Sequence, residues 1–181
     1  IGANGAGYAI DKFGGVLPER IILTTSLAKA FGTYGGVVAL ANKDAIYFIK
    51  KYCSTYIFSG PPINPLINAS IESAQIHLSP ELLTLQQRLY DNLKLFDQLI
   101  LNKDRIINAY SKIPIRGLKI GDELIAINFG KLLKSSAMLA TVAMYPTTVK
   151  GNSIVRFGIC ANHTPGEIRQ LCEFINKTPI K

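Results

Sequence analysis

The chain has 181 residues and a mass of 19.8 kDa, enough for one domain of about 150 residues or two small ones. Hydrophobic residues at 48% against 18% charged exclude a disordered chain, and 15 Gly with 9 Pro in no fixed period exclude a collagen-like one. The net charge is +8, yet the bases are scattered, their longest run being Lys50-Lys51. No stripe or motif of a nucleic-acid binder is present, so a nucleic-acid partner is not expected.

In chain order, Ile1-Gly2-Ala3-Asn4-Gly5-Ala6-Gly7 is a Gly-rich turn with no element in front of it, an unusual place for a domain to start. The β-branched run 21–25 predicts a buried strand, and so does 37–41, bounded by Gly35-Gly36 and Asn42. Residues 43–52 have helical periodicity. Pro61, Pro62 and Pro65 predict a loop over 59–65, followed by a helix over 66–78. Ser79-Pro80-Glu81 reads as an N-cap, a proline at the first helical position and an acid in the first turn. From it runs the clearest helix, with Leu82, Leu85, Leu89, Leu93, Phe96 and Ile100 on one stripe. Beyond it the chain is expected to alternate: a strand over 124–129, a helix over 131–144 and a strand over 154–160. Thr164-Pro165-Gly166-Glu167 is a capping box that opens a last helix over about 165–176. The whole reads as a folded α/β chain.

Cys53, Cys160 and Cys172 form no C-x-x-C pair and fit reduced thiols in a cytoplasmic protein. With only His77 and His163 beside them, no metal site is expected. No apolar stretch approaches the roughly 18–20 residues of a membrane helix, and no signal peptide is visible.

The segment richest in chemistry is Thr24-Thr25-Ser26-Leu27-Ala28-Lys29-Ala30-Phe31-Gly32-Thr33-Tyr34-Gly35-Gly36. Lys29 follows a predicted buried strand, between two alanines, with hydroxyls at Thr25 and Ser26 and three glycines close behind. Glycines permit tight turns and close approach of backbone to a ligand. A lysine desolvated in such a loop loses its proton more readily and attacks an aldehyde as an amine. Most lysines are solvated surface groups, so the pattern alone leaves both readings open.

The segment resembles the cofactor-lysine loop of the α-oxoamine synthases, pyridoxal 5'-phosphate enzymes of the aspartate aminotransferase fold (fold type I). The resemblance puts Lys29 on the Schiff-base position and Ser26 on the hydroxyl used toward the cofactor phosphate, where the family more often has Thr. Tyr56-Ile57-Phe58-Ser59-Gly60-Pro61-Pro62 resembles the family's Phe-Ser loop, in which Ser59 would contact the phosphate of the neighbouring subunit's cofactor. Lys150-Gly151-Asn152-Ser153-Ile154-Val155-Arg156 resembles the C-terminal strand, whose arginine, here Arg156, holds the substrate carboxylate. A planar guanidinium binds a carboxylate through two parallel bonds, and a strand end is a rigid mount for it. His163, directly before the Thr164 cap, is expected to serve packing or hydrogen bonding.

The resemblance implies that this chain corresponds to the C-terminal half of such an enzyme. Residues 1–80 would be the end of the large cofactor domain, and residues 81–181 a linking helix with a small α/β domain. The parent would condense an amino acid with an acyl-CoA and lose carbon dioxide, as a homodimer sharing its sites between subunits. The family's Asp for the pyridine nitrogen and a nearby His lie upstream of the Gly-rich turn and are absent here. The isolated chain is therefore expected to be inactive and to hold no cofactor stably. A fold-type-I aminotransferase and a non-catalytic subunit of the same fold are the alternatives.

Overall fold

In the computed structural model, which describes residues 2–180, the chain divides into two units, Ile1–Leu83 and Thr84–Lys181. The first unit holds helix α1 (Tyr8–Lys12), strands β1 (Leu23–Ser26) and β2 (Gly36–Ala39), and helices α2 (Lys43–Tyr52), α3 (Ser54–Phe58) and α4 (Asn64–Leu78). β1 and β2 pair antiparallel as a two-stranded ribbon, with Leu23 opposite Ala39 and Ser26 opposite Gly36. α2 starts at Asn42, whose side chain accepts the N–H groups of Asp44 and Ala45 at 2.8 and 3.0 Å. It ends on Lys50 and Lys51, which complement the helix dipole. Pro65 lies inside the first turn of α4 rather than in the loop before it. That position needs no backbone donor, so proline fits it.

The two strands are present, but they are not buried as expected. Thr24, Thr25 and Ser26 are exposed, as are Val37 and Val38. A two-stranded ribbon covers little of its own surface, and no third strand joins it among the described residues. None of the described residues in this unit is buried.

The second unit is built differently. Helix α5 (Glu81–Leu99) starts at Ser79, whose Oγ accepts the Glu81 N–H at 3.2 Å. Its stripe supplies Leu93 and Phe96, with Ile100 just beyond, all at most 3% exposed. Strands β3 (Ile106–Ile107), β4 (Ile115–Gly121), β5 (Thr141–Ala143) and β6 (Ser153–Gly158) form an antiparallel sheet in the order β3-β4-β6-β5. Helix α6 (Glu123–Ser135) occupies the segment expected to be a strand over 124–129. The Asp122 side chain caps it by accepting from Leu124 and Ile125, and Ala126, Phe129 and Leu133 bury one face at helical spacing. The helix expected over 131–144 stops at Ser135, and β5 follows Ala137, which sits at φ 58°. Helix α7 (Pro165–Lys177) opens with the Thr164–Glu167 capping box.

Side chains alternate across a strand, so the sheet has two unlike faces. Leu118, Val155 and Phe157 belong to the core with Phe96, Phe129, Leu133, Ile168, Cys172 and Ile175 from α5, α6 and α7. Gly117, Lys119, Thr141, Ile154 and Arg156 stand on the other face. Arg116 is fully buried and forks onto Asp97 of α5, Nε to Oδ1 at 2.8 Å and Nη2 to Oδ2 at 2.7 Å. Its other donors reach the carbonyls of Ile113 and Ser111, which closes the loop between β3 and β4.

Candidate functional site

Lys29 lies in the loop that joins β1 to β2. The loop is closed by its own backbone: Leu27 N–H donates to the Gly35 carbonyl at 2.9 Å, Thr33 N–H to Leu27 at 2.9 Å, and Gly32 N–H to Lys29 at 3.0 Å. Gly32 and Gly35 take φ of 76° and 116°, in the left-handed region that glycine tolerates best. Ser26 Oγ accepts the Ala28 N–H at 3.2 Å, which leaves its hydroxyl proton free to donate. The Lys29 side chain is exposed, the solvated one of the two readings that its neighbours left open. The cause is the uncovered ribbon on which the loop is mounted.

Lys29, Ser26, Thr25 and Thr24 share the walls of one cleft of about 610 Å³ with the Gly5–Gly7 turn and His77. That volume is within the range of small-molecule sites, roughly 300–1,000 Å³. The glycine turn is placed by close packing, because a side chain at Gly5 would meet Leu82 Cδ2 at 2.5 Å.

Ser59 lies outside this cleft. It caps the C-terminal end of α3, is exposed, and donates its hydroxyl to the Tyr56 carbonyl at 3.1 Å. Arg156 belongs to the second unit and stands in the middle of β6 rather than at a strand end, opposite Gly117 on one side and Thr141 on the other. Small neighbours leave its guanidinium exposed, and it has no side-chain partner among the described residues. His163 serves the turn before α7. Its Nδ1 accepts the Cys160 N–H at 3.2 Å, and buried Asn92 donates to the carbonyls of both residues. Among the described residues no group of three His, Cys, Asp or Glu side chains is placed to hold a metal, and no helix is long and apolar enough to cross a membrane.

The model of the family described as aminotransferase class I and II matches residues 7–175, nearly the whole chain. The chain belongs to that family. Within the aminotransferase class I and II family it is 31% identical to 8-amino-7-oxononanoate synthase 1 of Bacillus subtilis, over 98% of this chain and 44% of the relative. The solved 8-amino-7-oxononanoate synthase of Francisella tularensis is 27% identical with a TM-score of 0.76, over 98% of this chain and 50% of that one. A serine palmitoyltransferase variant from S. paucimobilis with a bound PLP–myriocin aldimine superposes with a TM-score of 0.82 at 20% identity, over 97% of this chain and 43% of that one, a likeness of fold. The chain spans less than half the length of the curated relatives it matches. The partial fold-type-I architecture expected from the lysine loop is the one observed.

The donor set of the cleft fits two ends of the family's cofactor, pyridoxal 5'-phosphate. An amine on Lys29 suits an aldehyde, and the hydroxyls of Ser26 and Thr25 suit a phosphate. Among the described residues the cleft carries no carboxylate to face a ring nitrogen.

Proposed function

We propose that the whole protein is a pyridoxal-phosphate-dependent acyltransferase of the α-oxoamine synthase type, which condenses an amino acid with an acyl-CoA and releases carbon dioxide. The observation that carries this reading is the cleft whose walls include Lys29, Ser26 and Thr25. The cofactor, when bound, supplies a conjugated ring that withdraws electrons from the substrate's α-carbon. Lys29 holds the cofactor's aldehyde end through Nζ, and its amine then moves a proton at the α-carbon of the bound amino acid. Ser26 donates its free hydroxyl proton to the phosphate. Ser59 of the partner subunit serves that phosphate too, so the working form is a homodimer. Arg156 pairs with the amino acid's carboxylate through two parallel N–H···O bonds. In this reading residues 1–80 belong to a cofactor domain and residues 81–181 to the linking helix and small C-terminal domain of a cytoplasmic enzyme.

Incubating the full-length protein with pyridoxal 5'-phosphate and reducing it with borohydride is expected to leave a pyridoxyl group on Lys29, located by peptide mass spectrometry. Equal labelling of a Lys29→Ala variant overturns the assignment. The match to the aminotransferase class I and II model also favours a second reading, an aminotransferase using the same lysine. Free thiol released from an acyl-CoA in the presence of amino acids identifies the acyltransferase. A keto acid formed without thiol release identifies the aminotransferase.

A further inference from the structure

The loop that carries Lys29 is gripped from outside by one face of α4. Ser70, Ser73 and His77 are three and four residues apart, which places them in a row on the helix. Ser73 Oγ donates to the Phe31 carbonyl at 2.7 Å. Ser70 Oγ shares a hydrogen bond with Thr33 Oγ1 at 3.0 Å. The His77 ring lies against the Phe31 ring, centroids 5.1 Å apart and planes tilted by 30°. Its Nδ1 is 2.7 Å from the Ser73 carbonyl, an acceptor, so Nδ1 donates there. One helical row therefore holds the loop at two and four residues past the lysine, and His77 and Phe31 line the same cleft as Lys29.

This grip matters because little else restrains the loop. No described residue of the unit is buried, and Gly32, Gly35 and Gly36 carry the highest conformational entropy of any residue type. A reacting group displaced by about 1 Å can lose on the order of a hundredfold in rate. The loop's own backbone bonds set its shape, while α4 sets where that shape stands.

We propose that Ser73 and His77 are positioning residues for the Lys29 amine: through the Phe31 carbonyl and ring they hold the lysine loop at the wall of its cleft. This inference rests on the reading of Lys29 as the cofactor lysine. The test uses the full-length protein as wild type and as Ser73→Ala, Ser73→Thr, His77→Ala and His77→Phe. Each is mixed with pyridoxal 5'-phosphate and reduced at timed intervals, and labelling of Lys29 is compared with that of Lys50. Amide exchange at Gly32 and Thr33 is followed in parallel. Ser73→Ala and His77→Ala are expected to slow Lys29 labelling by about tenfold or more and to speed exchange at Gly32 and Thr33, with Lys50 unchanged. Ser73→Thr keeps the hydroxyl and His77→Phe keeps the ring, so both are expected to restore Lys29 labelling. Unchanged Lys29 labelling in the two alanine variants overturns the positioning role, whether or not exchange rises. Wild-type protein that labels Lys29 no faster than Lys50 overturns the reading of Lys29 itself, and the positioning role with it.

Discussion

Between Leu23 and Ala39 the ribbon turns Val37 and Val38 toward solvent, whereas across β4 and β6 Leu118 and Val155 lie within a core closed by helices. Both regions are antiparallel pairs of β-branched and aliphatic residues. They differ in what covers them. The second unit buries Phe96, Phe129, Leu133 and Ile168 under its own sheet, each worth about 1.5–3 kcal/mol. The first unit has no such term within the described residues and is held by caps, backbone turns and the polar contacts of α4. The lysine loop is in the unit without a core, and the exposed guanidinium of Arg156 is in the unit that has one.

Hydrogen exchange on the 181-residue chain gives the largest expected contrast. Amides of β1 and β2 should exchange orders of magnitude faster than those of β6, because local opening of an uncovered ribbon costs little. The same chain should hold no stable pyridoxal phosphate on its own. Equal protection of ribbon and sheet, or a tight reducible adduct in this chain, would break the comparison. A smaller effect sharpens it from the other side. Asp97→Ala strands the fully buried Arg116 guanidinium, and removing one partner of a buried pair costs about 3–5 kcal/mol. The loss should appear in urea unfolding of the second unit and leave exchange in β1 and β2 unchanged.

Alkaline pH probes the same core more gently. Burial pushes the Cys172 thiol up to about 12 from an ordinary 9.0, and the nearby Asp97 charge adds to the effect. Above pH 9 the unfolded chain loses this proton while the folded chain keeps it, so stability falls as pH rises toward about 12. Unfolding midpoints measured across that range should fall less steeply in Cys172→Ala. Cys160, which is exposed, should react first with a thiol reagent.

Elements with strong end signals were legible in the sequence. Ser79, Thr164 and the periodic stripe of α5 marked their helices because capping and amphipathicity are local. α6 was misread because Leu124 to Phe129 is a short apolar run, which periodicity alone does not separate from a strand. β4 was missed because it carries Arg116 and Lys119, and Arg116 is buried only through Asp97, nineteen residues earlier. The turn between β1 and β2 was legible from its glycines, which mark tight turns locally. Ser73 and His77 were not, since their contacts with Phe31 join residues more than forty positions apart. The exposure of Lys29 depends on what covers the ribbon, which no local pattern records.

The smallest expected effect lies at the start of α7. The Thr164 backbone N–H, and after it the Thr164 hydroxyl, hold the Glu167 carboxyl below the usual carboxylate range. The folded chain therefore gives up this proton more readily than the unfolded chain, whose glutamate titrates near about 4.3. The stabilisation is present above that value and is lost as pH falls through the lowered folded one. Glu167→Gln keeps an acceptor for the cap but has no proton to titrate, so its unfolding midpoint should decline less steeply in acid than the wild type's. Thr164→Ala removes the cap itself and should cost about 1 kcal/mol at neutral pH. Identical acid limbs in wild type and Glu167→Gln would show that the charge on Glu167 adds nothing to the capping box. The start of α7 would then rest on the Thr164 hydroxyl and on the buried contacts of Ile168, Cys172 and Ile175, and such burial is the term the ribbon lacks.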